Sequence, residues 1–533
     1  MGREEKTHNR GIRSQEIKSR SLLRPRFRGS VWVEIRIVSG GNMTQTKTTA
    51  QRIAAYFSSI AFRQMLGVVV AVLRPKLLSP EHYGLYSLLK VIPGYGAFVP
   101  LGARQAARFS IPRFQAEKRE DRVLAMESAL YFGTFWANLL FIVIFFCVAL
   151  PEAVTTVHRV GVAAFGLFIL INWYFDYQIT LLKAHQRFDL VSRANYIAAL
   201  MACGSLPLLY FFGIYGLIAA MVLNVAVVSA MLRALYPLPA LPRFDWREYV
   251  RMMREGFPVM CIGLGILAIR TTDRFVISGM LGTEQLGFYA IAVMAFNFLM
   301  NLPTVSREIM EPMLMQSLAQ QGERENLDRF LFVPLLHTLY LLPVLVGGAF
   351  FAAPLFLPLL LPRYAAGVPA TQILVVGSFF LGLCYVLRGI LVARGWQYQA
   401  LLVAGAVFAV NLAGSIGLVR VGWGIEGVGL ASAISFALLF VGLLTLIRVR
   451  VGTGYDQWPR VLRAVLCPSF VMIVYLVGFR AIAGRAWQTW GMNIGGGLVY
   501  LAVMTIVIRR GIRTHPELAG LTVRTLLGGR KEA

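Results

Sequence analysis

Apolar stretches of about 20 residues recur along nearly the whole chain, and they constrain its fold more than any other feature. One of them, YFGTFWANLLFIVIFFCVAL, runs from Tyr131 to Leu150 without a charged residue. At a rise of about 1.5 Å per residue, a helix of this length crosses a hydrocarbon layer of roughly 30 Å. Because lipid offers no partners to backbone N–H and C=O groups, such stretches must be helices. The chain is therefore predicted to be an all-α polytopic membrane protein.

The composition agrees with a membrane protein and argues against nucleic acid as a partner. The chain has 533 residues, of which 57% are hydrophobic and 15% charged, and its formal net charge is +26. Its Lys and Arg residues lie mostly in short connectors between apolar stretches, so no soluble module remains to bind nucleic acid. The five cysteines are scattered singly through apolar stretches. That spacing predicts no disulfide framework and no metal site, and no cofactor is expected.

Hydropathy and length place about fourteen membrane spans in the chain. Basic tails flank them: residues 1–50 are predicted to be a disordered cytoplasmic tail, with Met43 a plausible true start, and 511–533 a second cytoplasmic tail. The predicted spans are 52–73, 84–103, 123–150, 160–181, 194–212, 214–232, 257–280, 285–305, 330–360, 369–393, 400–419, 425–447, 461–479 and 490–508.

The distribution of basic residues among the connectors predicts the orientation of the spans. One set of alternate connectors is rich in Arg and Lys, whereas the other set is sparse and carries Arg159, Arg363 and Arg420. Cytoplasmic connectors hold the excess of positive charge in membrane proteins. Both termini are therefore predicted to be cytoplasmic, which requires the even number of spans found.

A short polar motif occurs twice, 203 residues apart, in the connector between spans 1 and 2 and in the connector between spans 7 and 8. We call this motif the elbow. The first copy is LLSPEHYGLYSLL (77–89) and the second is MLGTEQLGFYAIA (280–292). Both read as helix starts, with Ser79 or Thr283 as the N-cap and a glutamate in the first turn. The copies share four pairs of residues: Leu78/Leu281, Glu81/Glu284, Gly84/Gly287 and Tyr86/Tyr289.

A second pair of motifs, at nearly the same offset, indicates that the chain consists of two homologous halves. GIYGLIAAMVLN (213–224) matches GIEGVGLASAIS (424–435) at the turns before spans 6 and 12. The sequence thus predicts an N-terminal lobe of six spans (51–235), a C-terminal lobe of six spans (236–450) and two extra spans (451–510). Six spans per half keep the two repeats parallel, related by an axis along the membrane normal. Two such lobes facing across a cleft are an architecture for alternating access.

The ordered set of motifs resembles the bacterial Wzx-type polysaccharide flippases of the multidrug/oligosaccharidyl-lipid/polysaccharide (MOP) superfamily. The resemblance covers roughly residues 50–510 and rests on the first elbow, on RFSIPRF after span 2, on TTDRFVISGMLGTEQLGFYA at span 7, and on the two glycine-rich turns.

The resemblance implies that the chain flips a polyprenyl-diphosphate-linked oligosaccharide from the cytoplasmic to the outer leaflet of the bacterial inner membrane. The product would feed O-antigen, capsule or exopolysaccharide synthesis, with a polysaccharide polymerase and a chain-length regulator as expected partners. Flippases of peptidoglycan precursor and cation-coupled drug antiporters of the same superfamily remain alternatives.

Cationic side chains inside the spans are the candidates for binding the diphosphate. An ionisable group at membrane depth costs at least about 2.5 kcal/mol, so such groups are functional candidates by default. Arginine makes planar, bidentate contacts with phosphate, and lysine acts as a point charge. We expect Arg63, Lys90, Arg270 and Arg274 to line a cationic cavity. Arg388 and Arg307 are weaker candidates, because either one has an alternative role as a snorkelling residue near a span end.

Two acidic residues are candidates for coupling transport to H⁺ or Na⁺. Asp273 shares a helix face with Arg270, so a structural Arg270–Asp273 pair is an equal alternative to a substrate role. Asp176, in INWYFDYQIT, is the best candidate for coupling, although its aromatic neighbours also suit an interfacial position where it caps or pairs.

Span 2 contains VIPGYG, in which Pro93, Gly94 and Gly96 are expected to break or bend the helix. The chain has no GxxxxGK[ST] phosphate loop and no nucleophile with a plausible base, so it is not expected to be an enzyme. A membrane-embedded polymerase or ligase acting on lipid-linked glycans would need a long outer connector, and none is predicted.

Overall fold

The described part of the chain is helical throughout. The computed structural model describes residues 43–151, 156–236, 244–318, 332–451, 458–483 and 489–514, and no β-strand occurs within these ranges. Residues 1–42 of the predicted tail at 1–50, and 515–533 of the predicted tail at 511–533, lie outside them. The helices of the first half are α1 (Met43–Leu77), α2 (Pro80–Leu89), α3 (Ile92–Gly96), α4 (Ala103–Ala116), α5 (Glu120–Ala149), α6 (Thr156–Ala184) and α7 (Phe188–Leu235).

The second half is also helical and ends with two additional helices. Its elements are α8 (Trp246–Met280), α9 (Thr283–Leu318), α10 (Val333–Leu360), a 3₁₀ helix (Pro362–Gly367), α11 (Val368–Ala393), α12 (Gln397–Arg420), α13 (Gly424–Val451), α14 (Trp458–Ala483) and α15 (Trp490–Thr514). Ten helices within the described ranges are long and apolar enough to cross a membrane by length and composition alone. The predicted all-α polytopic fold is confirmed.

The second predicted span, 84–103, is not one continuous helix. Helix α2 ends at Leu89, the five-residue helix α3 follows from Ile92, and α4 starts only after Gly102, whose φ is +96°. Proline lacks a backbone N–H and glycine favours non-helical conformations, so the Pro-Gly sequence at 93–94 interrupts the helix. The break expected within span 2 is therefore present.

Within each half the helices pack mainly against helices of the same half. In the first half α7 packs against α1 and α6, and α4 lies against α5 and α6. In the second half α11 packs against α9 and α13, and α12 lies against α8 and α13. The last two helices, α14 and α15, pack against α10. The two additional C-terminal helices therefore attach to the second half.

The two polar elbows meet each other where α2 crosses α9. Ser79 caps α2 as predicted, its Oγ accepting from the backbone N–H of His82 at 3.3 Å. A Cβ on Gly84 would lie 1.9 Å from the carbonyl oxygen of Thr283, and one on Gly287 would lie 1.9 Å from that of Pro80. Pro80 and Thr283 are equivalent positions in the two elbows, so the same contact is made twice with the roles exchanged. Reciprocal contacts of this kind are what a two-fold relation between two copies produces.

The glycine-rich turns also share a backbone conformation. Gly213 has φ +58° and Gly424 has φ +55°, a region that residues other than glycine rarely adopt. In the first half this residue is the kink that divides α7 into the predicted spans 5 and 6. In the second half it separates α12 from α13. Both pairs of motifs thus have matched local structures, while the repeat of whole lobes remains a prediction.

Candidate functional site

The two halves face each other along a seam that continues inward from the crossing of α2 and α9. The hydroxyls of Tyr95 and Thr271 form a 2.7 Å hydrogen bond from α3 to α8. On α1, the Gln64 side-chain oxygen accepts from the Asn301 amide of α9 at 2.8 Å. Further along, α4 packs against α8. These contacts join the two halves, and we call the space that the sequence predicts between them the cleft.

Cationic side chains are distributed along this cleft at different depths. The rise of an α-helix converts position along each helix into depth below the predicted outer side. Measured from the helix ends at that side, Arg74 lies about 5 Å deep, Arg274 about 9 Å, Lys90 and Arg270 about 15 Å, and Arg63 about 21 Å. The four predicted cavity residues are therefore spread down the cleft and are not gathered at one point.

Arg74 and Lys90 lie on either side of a buried tyrosine, Tyr86. Arg74 donates from Nη1 to the Tyr86 hydroxyl and from Nη2 to Ser205 Oγ, both at 3.1 Å. The ammonium of Lys90 lies 5.9 Å from the centroid of the Tyr86 ring, within the range of a cation–π contact. Both partners of these cations are neutral, so neither positive charge is cancelled here.

Arg274 joins the same region from the second half of the chain. It lies within electrostatic reach of Tyr83, whose ring is 6.1 Å from that of Tyr86. Its Nε is buried and has no hydrogen-bond partner within the described ranges. Lys90 and Arg274, predicted separately from spans 2 and 7, are thus brought to the same pair of tyrosines.

Arg270 is held by neutral groups of the second half. It donates to the Tyr385 hydroxyl and to the Asn297 side-chain oxygen, both at 2.8 Å. Its guanidinium also lies 5.3 Å from the centroid of the Phe296 ring. These contacts fix the side chain through neutral groups, while the Asp273 carboxylate acts on it electrostatically without forming an ion pair.

Asp273 does not pair with Arg270. Its carboxylate accepts from the Tyr289 hydroxyl at 2.8 Å and from the backbone N–H of Arg274 at 2.7 Å. The residue is 3% exposed. The shared helix face suggested an Arg270–Asp273 pair, but tertiary contacts supply both side chains with other partners. Asp273 is therefore a buried carboxylate held by hydrogen bonds, and the guanidinium groups of Arg274 and Arg270 lie within electrostatic reach of it.

Asp176 forms an ion pair with Arg104, a partner that the sequence analysis did not name. Arg104 donates to its Oδ2 at 2.8 Å, and the amide of Asn172 donates to the same oxygen at 3.2 Å. Arg104 comes from the start of α4 and is 6% exposed. Of the roles proposed for Asp176, the structure shows the pairing one.

Arg63 and Arg388 lie deeper, and Arg307 lies beyond what is described. Arg63 is exposed on α1 and donates to the Asn195 side-chain oxygen at 3.1 Å. Arg388 extends from α11 toward α8, with Nη2 3.7 Å from where a Cβ on Gly263 would stand. The side chain of Arg307 is outside the described residues.

Ion pairing divides the cations of the chain into two groups. Arg104, Arg122 and Arg251 pair with carboxylates at 2.8–3.2 Å. The ion pairs found within the described ranges include none of the cleft residues Arg63, Arg74, Lys90, Arg270 and Arg274. These five residues therefore carry positive charge without a carboxylate within 4.0 Å in the described ranges, while Asp273 lies near two of them, Arg270 and Arg274.

Two of the functional candidates were missed by the sequence analysis. Arg74 lies just beyond the predicted end of span 1 at residue 73, yet α1 continues to Leu77 with Pro75 inside the helix. Arg104 was assigned to a basic connector, yet it is buried on Asp176. In both cases a basic residue directly follows a predicted span end. That position could have indicated that the residue belongs to the membrane-embedded part.

We predict that the Arg104–Asp176 pair stabilises the first half. Arg104→Gln leaves the Asp176 carboxylate without its countercharge, and Asp176→Asn leaves a buried guanidinium, so each is expected to destabilise the protein by about 1–3 kcal/mol. The double variant should recover much of the loss, because amides replace both charges. Thermal unfolding in detergent measures this. If the losses of unfolding free energy in the two single variants simply add in the double variant, the two side chains do not form a direct pair. If Asp176→Asn abolishes transport and the double variant does not restore it, Asp176 has a role in coupling.

Comparison with known proteins agrees with this geometry. Residues 72–369 match the model of a family described as polysaccharide biosynthesis protein. No curated protein matches the sequence significantly. Several solved structures share the fold, and two of them have been described in inward closed and inward-facing conformations.

The structural likeness extends over nearly the whole length of those proteins. The lipid II flippase MurJ has 14% identity and a TM-score of 0.65, covering 86% of this chain and 99% of that one. A multidrug resistance MATE family transporter of the MOP superfamily has 12% identity and a TM-score of 0.60, covering 73% and 94%. A MOP superfamily transporter from Pyrococcus furiosus has 13% identity and a TM-score of 0.51, covering 76% and 95%. At these identities the likeness establishes the fold.

Proposed function

The chain belongs to the polysaccharide biosynthesis protein family, which it matches over more than half its length, and on that premise we propose that it flips a lipid-linked oligosaccharide. The substrate is a polyprenyl diphosphate carrying a short glycan, moved from the cytoplasmic to the outer leaflet of the bacterial inner membrane. Transport proceeds by alternating access of the cleft, and the substrate leaves chemically unchanged. The glycan then becomes available to a polymerase and a chain-length regulator.

The observation that carries this proposal is a series of cations without carboxylate partners along the cleft. The hydrogen bonds and ring contacts found for Lys90 and Arg270 in the described ranges go to neutral groups, namely a tyrosine ring, a hydroxyl, an amide oxygen and a phenylalanine ring. Uncompensated charge at membrane depth is costly unless an anion or water occupies the site. A diphosphate supplies the negative charge, and its oxygens accept hydrogen bonds from ammonium and guanidinium groups.

The same observation disfavours a cation-coupled drug antiporter. A cavity for cationic drugs needs acidic side chains that are free to face the substrate. Asp176, the first acidic candidate, is neutralised by Arg104 at 2.8 Å. Asp273 is 3% exposed and is held by Tyr289. Neither carboxylate offers an open anionic site in this conformation.

A peptidoglycan-precursor flippase is the second candidate function, since its substrate carries the same polyprenyl diphosphate. The fold shared with the lipid II flippase MurJ favours it. The cationic cleft suits both substrates equally, because the glycan differs and the diphosphate does not. Family membership makes the polysaccharide precursor the first choice.

For energy coupling we propose Asp273 ahead of Asp176, with H⁺ or Na⁺ as the ion. Asp273 has no ion-pair partner within 4.0 Å in the described ranges, whereas Asp176 has one. It also lies in the same helical turn as Arg270 and Arg274. A change in its charge would therefore act directly on two of the cleft cations.

The test is the sidedness of the lipid-linked glycan in cells with and without this protein. A membrane-impermeant glycan probe applied to spheroplasts should label the glycan strongly when the protein is present, and at least about tenfold less when it is removed. A plasmid copy should restore the labelling. If sidedness is unchanged for the polysaccharide precursor but altered for the peptidoglycan precursor, the second candidate is correct. If neither changes, ion-driven efflux of cationic dyes becomes the next assay.

A further inference from the structure

An apolar groove opens at the seam between the two halves, separate from the cationic residues. It has a volume of about 730 Å³ and is walled by α2, α3, α5 and α6 of the first half and by α8 and α9 of the second. We call it the lateral groove and define it by Leu89, Ile92, Phe141, Phe145, Phe275 and Gly279. Its volume is within the range of about 300–1,000 Å³ typical of sites for small molecules.

The lining of the lateral groove suits a hydrocarbon chain and excludes an ionic headgroup. None of the residues that line it is charged, and its polar side chains are the hydroxyls of Tyr95, Ser278 and Thr283. Phe275 and Ile144 are about half exposed there, so apolar surface is available on both walls. A diphosphate placed in the groove would lose its hydration without gaining a countercharge.

A hydrogen bond connects the lining of the lateral groove to the turn of α8 that carries Arg270 and Arg274. Tyr95 lines the groove, and its hydroxyl is 2.7 Å from that of Thr271. Thr271 lies in the same helical turn of α8 as Arg270 and Arg274. Lys90 lies between the groove residues Leu89 and Ile92 in sequence, yet it contacts the ring of Tyr86 on the other side of α2. The groove and the cleft therefore adjoin at the depth of Lys90 and Arg270.

We propose that the lateral groove holds the polyprenyl tail of the substrate while its diphosphate occupies the cleft. This inference rests on the proposed function. A headgroup bound about 15 Å below the membrane surface must extend its tail sideways into lipid at that depth. The acyl chain of a bulk phospholipid has no such requirement, because its phosphate stays at the interface. The lateral groove reaches from about that depth, at Ile92, to the outer end of α8, at Gly279, so a tail lying along it passes both residues.

The groove can be filled without disturbing the packing of the protein. A Cβ on Gly279 would have no atom within 4 Å, so Gly279→Phe places a ring in open space. Gly417, near the end of α12, is also exposed with nothing within 4 Å, so Gly417→Phe is a matched control outside the groove. Gly279→Phe should slow flipping of a full-length polyprenyl substrate by about tenfold or more. A substrate whose tail has only a few isoprene units should be flipped at the wild-type rate, and Gly417→Phe should affect neither.

A binding measurement separates failure of this inference from failure of the proposed function. A photoreactive benzoyl-phenylalanine is placed at position 279 or 417 in vesicles containing a radiolabelled polyprenyl diphosphate. We expect capture of the label at 279 and not at 417, with competition by unlabelled polyprenyl diphosphate but not by excess phospholipid. Equal capture at both positions, or competition by phospholipid, would identify an ordinary lipid contact and overturn the inference. If the wild-type protein flips no lipid-linked glycan, the proposed function fails, whatever position 279 captures.

Discussion

Replacing Lys90 with glutamine is expected to reduce transport about tenfold or more without reducing the amount of folded protein in the membrane. A hydrogen bond to a charged group contributes about 1.5–3 kcal/mol, and each 1.4 kcal/mol corresponds to a factor of ten. Lys90 is exposed in the cleft and its described contact is with the ring of Tyr86, so the substitution leaves no buried group without a partner. The sidedness assay on spheroplasts measures the rate, and detergent-extracted yield measures folding.

The control for this prediction is another exposed lysine. Lys118→Gln removes the same charge from the connector between α4 and α5, and transport should stay within about twofold of wild type. The prediction extends to Arg63, Arg270 and Arg274, each replaced singly by alanine. Arg270→Ala should lose transport with normal insertion, although the hydroxyl of Tyr385 also loses its donor. Wild-type transport in all four variants would refute a cationic cleft.

Gly84→Ala is expected to abolish transport by preventing α2 and α9 from meeting at the predicted outer side. Its Cβ would stand 1.9 Å from the carbonyl oxygen of Thr283, which belongs to the backbone and cannot turn aside as a side chain can. Overpacking of this kind costs about 1–3 kcal/mol or more, which lowers the population of the closed conformation by about 5- to 150-fold. Gly287→Ala should act in the same way, because its Cβ would stand 1.9 Å from the carbonyl oxygen of Pro80.

Accessibility of the cleft distinguishes a gating effect from general damage. A cysteine at position 90, in a chain whose five native cysteines are replaced, should react faster with an external impermeant maleimide when Gly84→Ala is present. Gly405 is exposed on α12 with nothing within 4 Å of its Cβ position, so Gly405→Ala controls for a glycine change in the membrane. Unchanged labelling together with lost transport would show that the crossing of α2 and α9 is not a gate.

The two copies of the elbow share their backbone contacts, but the equivalent tyrosines contact residues of opposite charge. Tyr86 and Tyr289 are equivalent in the duplication, and both are buried. Tyr86 accepts a hydrogen bond from Arg74, whereas Tyr289 donates one to Asp273. The duplication therefore preserves the crossing of the helices, while the charge next to each tyrosine differs between the halves. Cations that we expect to bind the anion come from both halves, whereas Asp273, the carboxylate that we propose for coupling, belongs to the second half.

Much of the fold could be predicted from the sequence because membrane spans are encoded locally. A run of about 20 apolar residues specifies a helix wherever it occurs, since lipid leaves the backbone no alternative. The elbows and the glycine turns were predicted from two short motifs, and Ser79, Gly213 and Gly424 have the expected local roles. The break in span 2 could also be predicted, because Pro93, Gly94 and Gly96 act on the backbone locally. Lys90 and Arg274 were chosen as candidate site residues because a charged side chain inside a membrane costs free energy.

Which partner each charge takes was decided only by the tertiary structure. Arg104 and Asp176 are 72 residues apart, and their pairing depends on which faces of α4 and α6 meet. Arg270 and Asp273 share a face of one helix, yet Tyr385 and Tyr289 from other helices supply their partners. The local hydropathy pattern reflects how apolar each segment is. It contains no information about which distant residue a charged side chain will contact. The sequence by itself determined where charge enters the membrane, and the packing of distant helices determined which charges remain uncompensated.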